Sequence, residues 1–520
     1  MEKIPSIFND VTGPVMRGPS SSHTAASWRI ARTCLDILNE PLKEAVVEFD
    51  TNGAWATNYR EQGTVMGING GLLGLEITDP LMKQTDQVVE ERALSVIYKI
   101  SSFRTEHPNT VRLSLEGIKG NKAQIIAASL GGGSFEIQKI NGFNVQIKGD
   151  CFELIVMCDP LTNLTDELTK ILSSNVVLYE SVFNNRKLIN IKLSKEVSSE
   201  LIDQFKKEFG LDNVIIVNPI LPIVAGNETE MPFSDITSLC NYAEKENLDL
   251  GDLGILYEKY LSGHSEDILT SKMDTIIKLI NNSIKIGLEG TKYKDRILHR
   301  QSHLIERAEK SGKILQKTVV NDIVANVTAI MESKSAMEVI VANPTAGSCG
   351  TIGGVINAIS KELNSTNEEI IKAYFASAIV GVYFAKGPGF SAEEHGCQVE
   401  CGAASGMAAA AIAQLFGGTA KQAIDSASMA IQNMVGLICD PVADRVEVPC
   451  LGKNVNAAVN ALTAATMVCS GFDAVIPFEE VLQTVIRVSD QMPQCVKCSG
   501  TGGLAITKTA IDIKEKLKNT

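Results

Sequence analysis

Aromatic side chains are scarce in this chain: 5% of its 520 residues, with only two tryptophans. With Gly and Ala abundant, that balance suits helices packed closely through small residues. Basic runs are missing as well. With a net charge of −13 and no cluster of Lys and Arg, the sequence offers no electrostatic footprint for a phosphate backbone. The opening MEKIPSIFND lacks the charged-then-apolar layout of an export signal. Apolar stretches stay too short to cross a bilayer, and Phe375–Ala385, among the longest, lies inside a helical pattern. A cytoplasmic protein is expected, with no membrane and no nucleic-acid partner.

What the chain does hold is length, apolar content and sulfur. Its length implies two to four domains, and 44% hydrophobic residues at a mean hydropathy of +0.07 are enough to fill their cores. Twelve cysteines in a chain without an export signal do not read as a disulfide framework. Eight of them follow residue 348, which directs attention to metal, cluster or redox chemistry in the C-terminal half. Cys34, Cys151, Cys158, Cys240 and Cys469 read as small buried hydrophobes.

Residues 1–150 alternate short β-like runs (Val46–Phe49, Val111–Leu115, Ala123–Ala128) with helical segments and glycine turns, as in an α/β domain. Residues 151–218 follow a β-α-β-β-α-β order. Its strands are Phe152–Met157, Val176–Val182, Leu188–Leu193 and Asn213–Val217. A first helix carries Leu164, Leu168, Ile171 and Leu172 at helical spacing, and a second carries Leu201, Phe205 and Phe209 up to Gly210. This is a ferredoxin-like α+β order, and it is similar to an ACT domain, a small-molecule regulatory module. Residues 219–232 contain three prolines and no periodicity, which predicts a linker. Residues 233–520 are mostly α-helical, with Ala403–Phe416 and Ala457–Met467 expected in a crowded interior.

Three cysteines sit in loop-like settings beside helix starts: Gly396-Cys397-Gln398, Ile438-Cys439-Asp440-Pro441 and Pro449-Cys450, at intervals of 42 and 11 residues. Proline close to two of them ends a helix, so the sulfur can point away from an element end, where free backbone N–H groups favour a thiolate. Three thiolates can hold a [4Fe–4S] cluster and leave one iron open, whereas electron-transfer clusters use four. Spacing alone leaves this reading beside the plainer one of packed thiols.

Longer runs add a resemblance. Gly396-Cys-Gln-Val-Glu-Cys-Gly-Ala-Ala-Ser-Gly-Met-Ala-Ala-Ala-Ala411, Gly436-Leu-Ile-Cys-Asp-Pro-Val-Ala443 and Val448-Pro-Cys450 resemble the cluster-binding signature of the iron–sulfur L-serine dehydratases. Asn343-Pro-Thr-Ala-Gly-Ser348 is similar to that family's Thr-Ala-Gly loop, and Gly502-Gly-Leu-Ala505 to its C-terminal element. Gly13-Pro-Val-Met-Arg-Gly-Pro-Ser-Ser-Ser-His-Thr24 is similar to the start of its β part. The resemblance implies β and α parts fused in one chain, a catalytic α domain, and a [4Fe–4S] cluster on Cys397, Cys439 and Cys450. It also implies Lewis-acid dehydration of L-serine to pyruvate and ammonia without pyridoxal phosphate, a step of amino-acid degradation linked to gluconeogenesis. Ser20, Ser21, Ser22 and Thr24, with Thr345, Ala346, Gly347 and Ser348, would then hold the amino-acid substrate, and His23 would accept or orient a proton. On its own the Ser-Ser-Ser-His run reads as a polar helix cap. A homo-oligomer is expected.

Several positions depart from the family pattern. Gln62 and Val65 stand where the family carries His and Asp, and the C-terminal Arg-Glu-Thr becomes Lys497-Cys498-Ser499. Arg17, Lys386, Arg445 and Lys453 bring cations near the motifs, which raises the alternative of a hydroxylated dicarboxylic amino acid as substrate. A β-thio amino acid, or a sensing role in place of catalysis, are further readings. Cys349, Cys401, Cys495 and Cys498 read as structural, with Cys498 a candidate to line the site.

Overall fold

The computed structural model describes the chain apart from residues 1–3, 54, 104, 106, 161–176, 210–213, 225–230 and 519–520. It divides into two compact units. One is Ser22–Gly226; the other joins Met1–Ser21 to Asn227–Thr520.

In Ser22–Gly226, strands of alternating burial build a six-stranded sheet. Its spatial order is Ser95–Ser101, Leu42–Asp50, Thr110–Gly117, Lys122–Gly131, Ser134–Ile140 and Phe143–Ile147. Neighbours are antiparallel except Leu42–Asp50 with Ser95–Ser101. Along Thr110–Gly117 the period of two is plain: Val111, Leu113 and Leu115 are buried, while Arg112, Ser114 and Glu116 are partly exposed. Helix α1 (Ala26–Leu38) lays Ile30, Cys34 and Ile37 into the same core. It meets α2 (Thr64–Leu72) closely because Gly67 has no side chain; a Cβ there would lie 2.1 Å from Ser27 Oγ.

A second sheet of this unit is four-stranded and antiparallel, ordered Val214–Val217, Phe152–Cys158, Arg186–Leu193 and Val177–Phe183. Helix α3 (Ser199–Phe209) contributes Ile202 and Phe205 to a core with Leu154, Val156, Ile189 and Ile191. The four strands match the expected ones to within two residues. The first helix of the β-α-β-β-α-β reading lies outside the described residues.

The other unit is helical. Among its helices are α4 (Leu250–Ser262), α5 (Val319–Ser335), α6 (Cys349–Leu363), α7 (Asn367–Lys386), α8 (Cys401–Leu415), α9 (Ala420–Gln432) and α10 (Cys450–Cys469). Helix α8 packs against α6, α7, α9 and α10, and every residue from Cys401 to Ala413 is buried. Small side chains permit that crowding: a Cβ on Gly406 would fall 2.7 Å from the Ile431 side chain. The alanine-rich stretch of α10 behaves differently. Ala457, Ala458, Ala461, Ala464 and Ala465 are buried, but Thr463 and Thr466 face solvent, so this helix buries one stripe rather than its whole circumference.

Two contacts tie the N-terminal residues into this unit. Val15–Arg17 pairs antiparallel with Val339–Val341, the strand that leads to Asn343. Upstream, the buried Glu258 carboxylate accepts from Ser6 Oγ at 2.5 Å and from the Ile7 backbone N–H at 2.7 Å. Burial pushes the Glu258 carboxyl up to about 7, against the pull of those two donors. A raised carboxyl stabilises the fold most below its unfolded value of 4.5, and that contribution is lost as pH rises through about 7. We expect Glu258→Gln to remove a fall in stability on the order of 3 kcal/mol across this window. Thermal midpoints of the two proteins between pH 5 and pH 8 check this; parallel curves would assign the carboxyl an ordinary titration.

Candidate active site

The C-terminal cysteines gather where several element ends meet. Cys397 opens a one-turn 3₁₀ segment, Cys397–Val399, after Gly396 at φ 74°. Gln398 locks that turn in place: its Nε2 donates to Val485 O at 3.0 Å and to Ser489 Oγ at 2.8 Å. Its Oε1 accepts from the Gly436 N–H at 2.9 Å. Cys439 lies in an extended bridge with the 497 region, donating its N–H to Val496 O at 2.8 Å and accepting from the Cys498 N–H at 2.9 Å. Cys450 is the first residue of α10.

Cys397 and Cys439 offer sulfur atoms within 4.8 Å of each other and of a Glu400 carboxylate oxygen. Cys397, Cys439 and Cys450 are all buried, and none is in a disulfide. Hydrogen bonds from the Cys401 and Cys439 thiols hold the Cys397 thiol well below the usual range, and the Lys453 ammonium adds to this. Burial pushes the Cys450 thiol up; the Lys334 ammonium opposes this, and the charges of Cys397 and Glu400 add to it. Cys498, in a left-handed conformation at φ 57°, packs with Cys397, Cys439 and Ala392 and hydrogen-bonds the Cys439 thiol. Cys401 neighbours Cys397, and its sulfur accepts from Asn454 Nδ2 at 3.8 Å.

Polar groups surround the thiols. Thr345 Oγ1 donates to Glu400 Oε1 at 2.7 Å and lies 3.1 Å from Ser348 Oγ. Glu400 Oε2 lies 4.0 Å from Cys397 Sγ, and burial raises the Glu400 carboxyl to about 8, the charge of Cys397 adding to the effect. Asn454, fully buried, staples the Thr-Ala-Gly loop to the start of α10. Its Nδ2 donates to Gly347 O at 2.7 Å and Cys450 O at 2.8 Å, and its Oδ1 accepts from Thr351 Oγ1 at 3.0 Å. Lys453 Nζ donates to Asp440 Oδ1 and Ile438 O, each at 2.7 Å, and lies 3.9 Å from Cys397 Sγ. The other Asp440 oxygen accepts from the Leu504 N–H at 2.9 Å. Gly503, at φ 58°, is what permits that approach, since a Cβ there would lie 2.7 Å from the Asp440 side chain.

The structure thus brings Cys397 and Cys439 together with Thr345 and Ser348 in one unit, with Ala346 and Gly347 completing the loop. Ser20 and Ser21, both buried, belong to the same unit. Ser22, His23 and Thr24 fall in the other and are described there. His23 Nε2 pairs with Asn58 Oδ1 at 3.0 Å, and burial lowers the imidazole to about 4, so it is neutral at physiological pH. Thr24 Oγ1 donates to Gln62 O at 3.1 Å. Sequence reasoning did not single out Glu400 or Asn454. Their signal was spacing: three residues after Cys397 and four after Cys450, on the near side of each turn.

The four cations that suggested a dicarboxylic substrate all have other partners. Lys453 is held as above, Arg445 Nη2 lies 2.6 Å from Asp295 Oδ1, and Arg17 Nη1 donates to Met337 O at 3.0 Å. The Lys386 ammonium lies over the rings of Tyr257 and Tyr383, 5.4 Å from each centroid.

Known proteins are similar to this chain over long stretches. A family profile described as serine dehydratase alpha chain matches residues 157–505. The probable L-serine dehydratase alpha chain of Bacillus subtilis (strain 168) is 33% identical over 285 residues, 55% of this chain and 95% of that protein. The L-serine dehydratase alpha chain of Peptoniphilus asaccharolyticus is 33% identical over 288 residues, 54% of this chain and 95% of that one. The probable L-serine dehydratase beta chain of B. subtilis is 29% identical over 224 residues, 42% of this chain and 99% of that protein. Both kinds of part are present here in one chain.

Proposed function

Because this chain belongs to the serine dehydratase alpha chain family, as a lyase with fused β and α parts, we propose that it is a [4Fe–4S]-dependent L-serine ammonia-lyase. The observation that carries the reading is the buried thiol set of Cys397, Cys439 and Cys450 beside the Thr345–Glu400 pair. The donor set suits such a group: uncrosslinked sulfur, one thiol favoured as thiolate, and apolar walls from Ala392 and Leu437. When bound, the cluster supplies a Lewis-acidic iron that makes the β-hydroxyl a tolerable leaving group. The chain's own residues do the rest. Thr345 and Ser348, with the Ala346 and Gly347 amides, hold the amino acid at the Thr-Ala-Gly loop. Ser20 and Ser21 add hydroxyls from the N-terminal motif; of the same motif, the family resemblance assigns Ser22 and Thr24 to the substrate and His23 to the proton leaving Cα. Loss of water gives the enamine; tautomerisation and hydrolysis then yield pyruvate and ammonia.

Serine is favoured over a hydroxylated dicarboxylic acid because Arg17, Lys386, Arg445 and Lys453 are each engaged by the protein itself. We also read residues 151–218 as an ACT-like regulatory module, and the protein as a cytoplasmic homo-oligomer. The test is anaerobic reconstitution with iron and sulfide followed by assay of pyruvate from L-serine. Turnover that appears with the cluster's absorption band, and that is lost in air and restored by Fe(II) and thiol, is expected. Activity only on addition of pyridoxal phosphate, or reconstituted protein inert toward serine, would overturn the reading.

A further inference from the structure

We propose that an open cleft beside the helix His303–Lys310, at the end of the helix Glu266–Glu289, is a binding site for a small organic phosphate. The cleft has a volume of about 470 Å³ and is lined by Leu288, Arg300, His303, Glu306, Arg307 and Lys310. That volume falls in the range of small-molecule sites and exceeds what a bare inorganic ion fills. His303, Glu306, Arg307 and Lys310 recur at i, i+3, i+4 and i+7, so one face of the shorter helix forms a wall. The wall is fixed before anything binds. Gln301 and Ser302 donate their N–H groups to Glu332 Oε1 at 2.6 and 2.7 Å, which pins the turn carrying Arg300 and His303 to a buried carboxylate. Arg300 Nη2 donates to Leu288 O at 3.1 Å. Gly290, at φ 110°, lets that side chain pass, since a Cβ there would stand 2.7 Å from Arg300 Nε. A site held by the fold loses less ordering entropy on binding.

Charge selects the ligand. Arg300, Arg307 and Lys310 face one carboxylate, Glu306, in a chain whose net charge is −13. Glu306 pairs with Lys310, which leaves the two guanidinium groups in excess. Arg300 uses one N–H on Leu288 O and keeps the rest of its fork. Among the described residues the Arg307 guanidinium has neither a hydrogen bond nor an ion pair. A guanidinium fork matches the paired oxygens of a phosphate or a carboxylate. A phosphate dianion, with three terminal oxygens, can meet both forks at once, whereas one carboxylate has two oxygens to share between them. Leu288 gives the carbon of an ester an apolar contact.

The experiment is calorimetric titration of the full chain with glycerol 1-phosphate, inorganic phosphate and tricarballylate at constant ionic strength. We expect saturable binding of glycerol 1-phosphate, one equivalent per chain, unchanged by L-serine and weakened by salt. Arg307→Gln and Arg300→Gln should each weaken it by about 10-fold or more. Lys313→Gln, an equal loss of charge on an exposed residue outside the cleft lining, should leave it unchanged. Arg307→Gln breaks no hydrogen bond or ion pair of the fold, so loss of binding in that variant reports the site rather than unfolding. Inorganic phosphate should bind more weakly than the ester; equal affinity would reduce the ligand to the bare ion and overturn its organic part. Tricarballylate binding more tightly than glycerol 1-phosphate would make the cleft a carboxylate site and overturn the phosphate assignment. Absence of saturable binding in the low millimolar range would overturn the proposal outright. Equal weakening in Lys313→Gln would do the same by assigning the effect to general surface charge, and displacement by L-serine would do so by placing the phosphate in the candidate active site.

Discussion

Replacing Cys397, Cys439 or Cys450 by alanine is expected to abolish serine turnover and to leave each protein without a stable four-iron cluster after reconstitution. A cubane held by three thiolates has no spare protein ligand, so losing one sulfur removes an iron corner rather than weakening it. Cys397 should be the least tolerant. Its thiolate is supported by the Cys401 and Cys439 thiols and by the Lys453 ammonium, 3.9 Å from its sulfur. Because all three are buried small residues, alanine leaves little void and the apo fold should survive. Circular dichroism and thermal midpoints separate folding from cluster assembly. Cys498→Ala is the matched control: its sulfur packs against the same thiols, and we expect its four-iron content to match wild type. Full cluster in any of the three ligand variants would remove that residue from the set, and loss of iron from the control would add Cys498 to it.

How much of this was legible beforehand depended on the range of the contacts involved. The alternation in Val111–Leu115 and the alanine content of Ala403–Ala413 are local signals, and both elements stand where they were expected. Cys397, Cys439 and Cys450 stand out through turn residues and motif resemblance, which are also local. The clamp of Ser6 and Ile7 on Glu258 spans some 250 residues of chain and leaves no mark on either segment. The same holds for the ribbon of Val15–Arg17 with Val339–Val341. Glu400 lies inside a motif and Asn454 four residues after one, but what they touch, Thr345 and Gly347, only the fold brings near. The cations pose a related problem. A sequence shows that Lys453 is close to a ligand cysteine but not that Asp440 has already claimed it.

Lys453→Met is where those two readings of a cation separate. Asp440 and Lys453 form a 2.7 Å pair with side-chain exposures of 4% and 14%, so neither charge is shielded by bulk water. Removing the ammonium leaves the Asp440 carboxylate with the Leu504 N–H as its remaining partner, and it also frees the Ile438 carbonyl. Breaking a buried pair from one side costs about 3–5 kcal/mol, and that is the expected loss of stability. This side chain bridges Ile438 and Asp440 on either side of Cys439, so looser cluster retention should follow. Cys397 would lose its nearest cation at the same time. If Lys453 serves the protein, kcat/KM should fall by the same factor for L-serine and for 3-hydroxyaspartate, roughly 10–100-fold as for groups that orient metal ligands. A loss confined to 3-hydroxyaspartate would show that the ammonium leaves Asp440 to meet a second substrate carboxylate, and serine would then cede its place to a dicarboxylic amino acid. Lys453→Arg refines the comparison: it keeps the charge but spreads it over a planar fork, which cannot sit between Asp440 and Ile438 O as a point donor does. Partial recovery of stability with equal recovery on both substrates is the outcome that fits a lysine committed to Asp440.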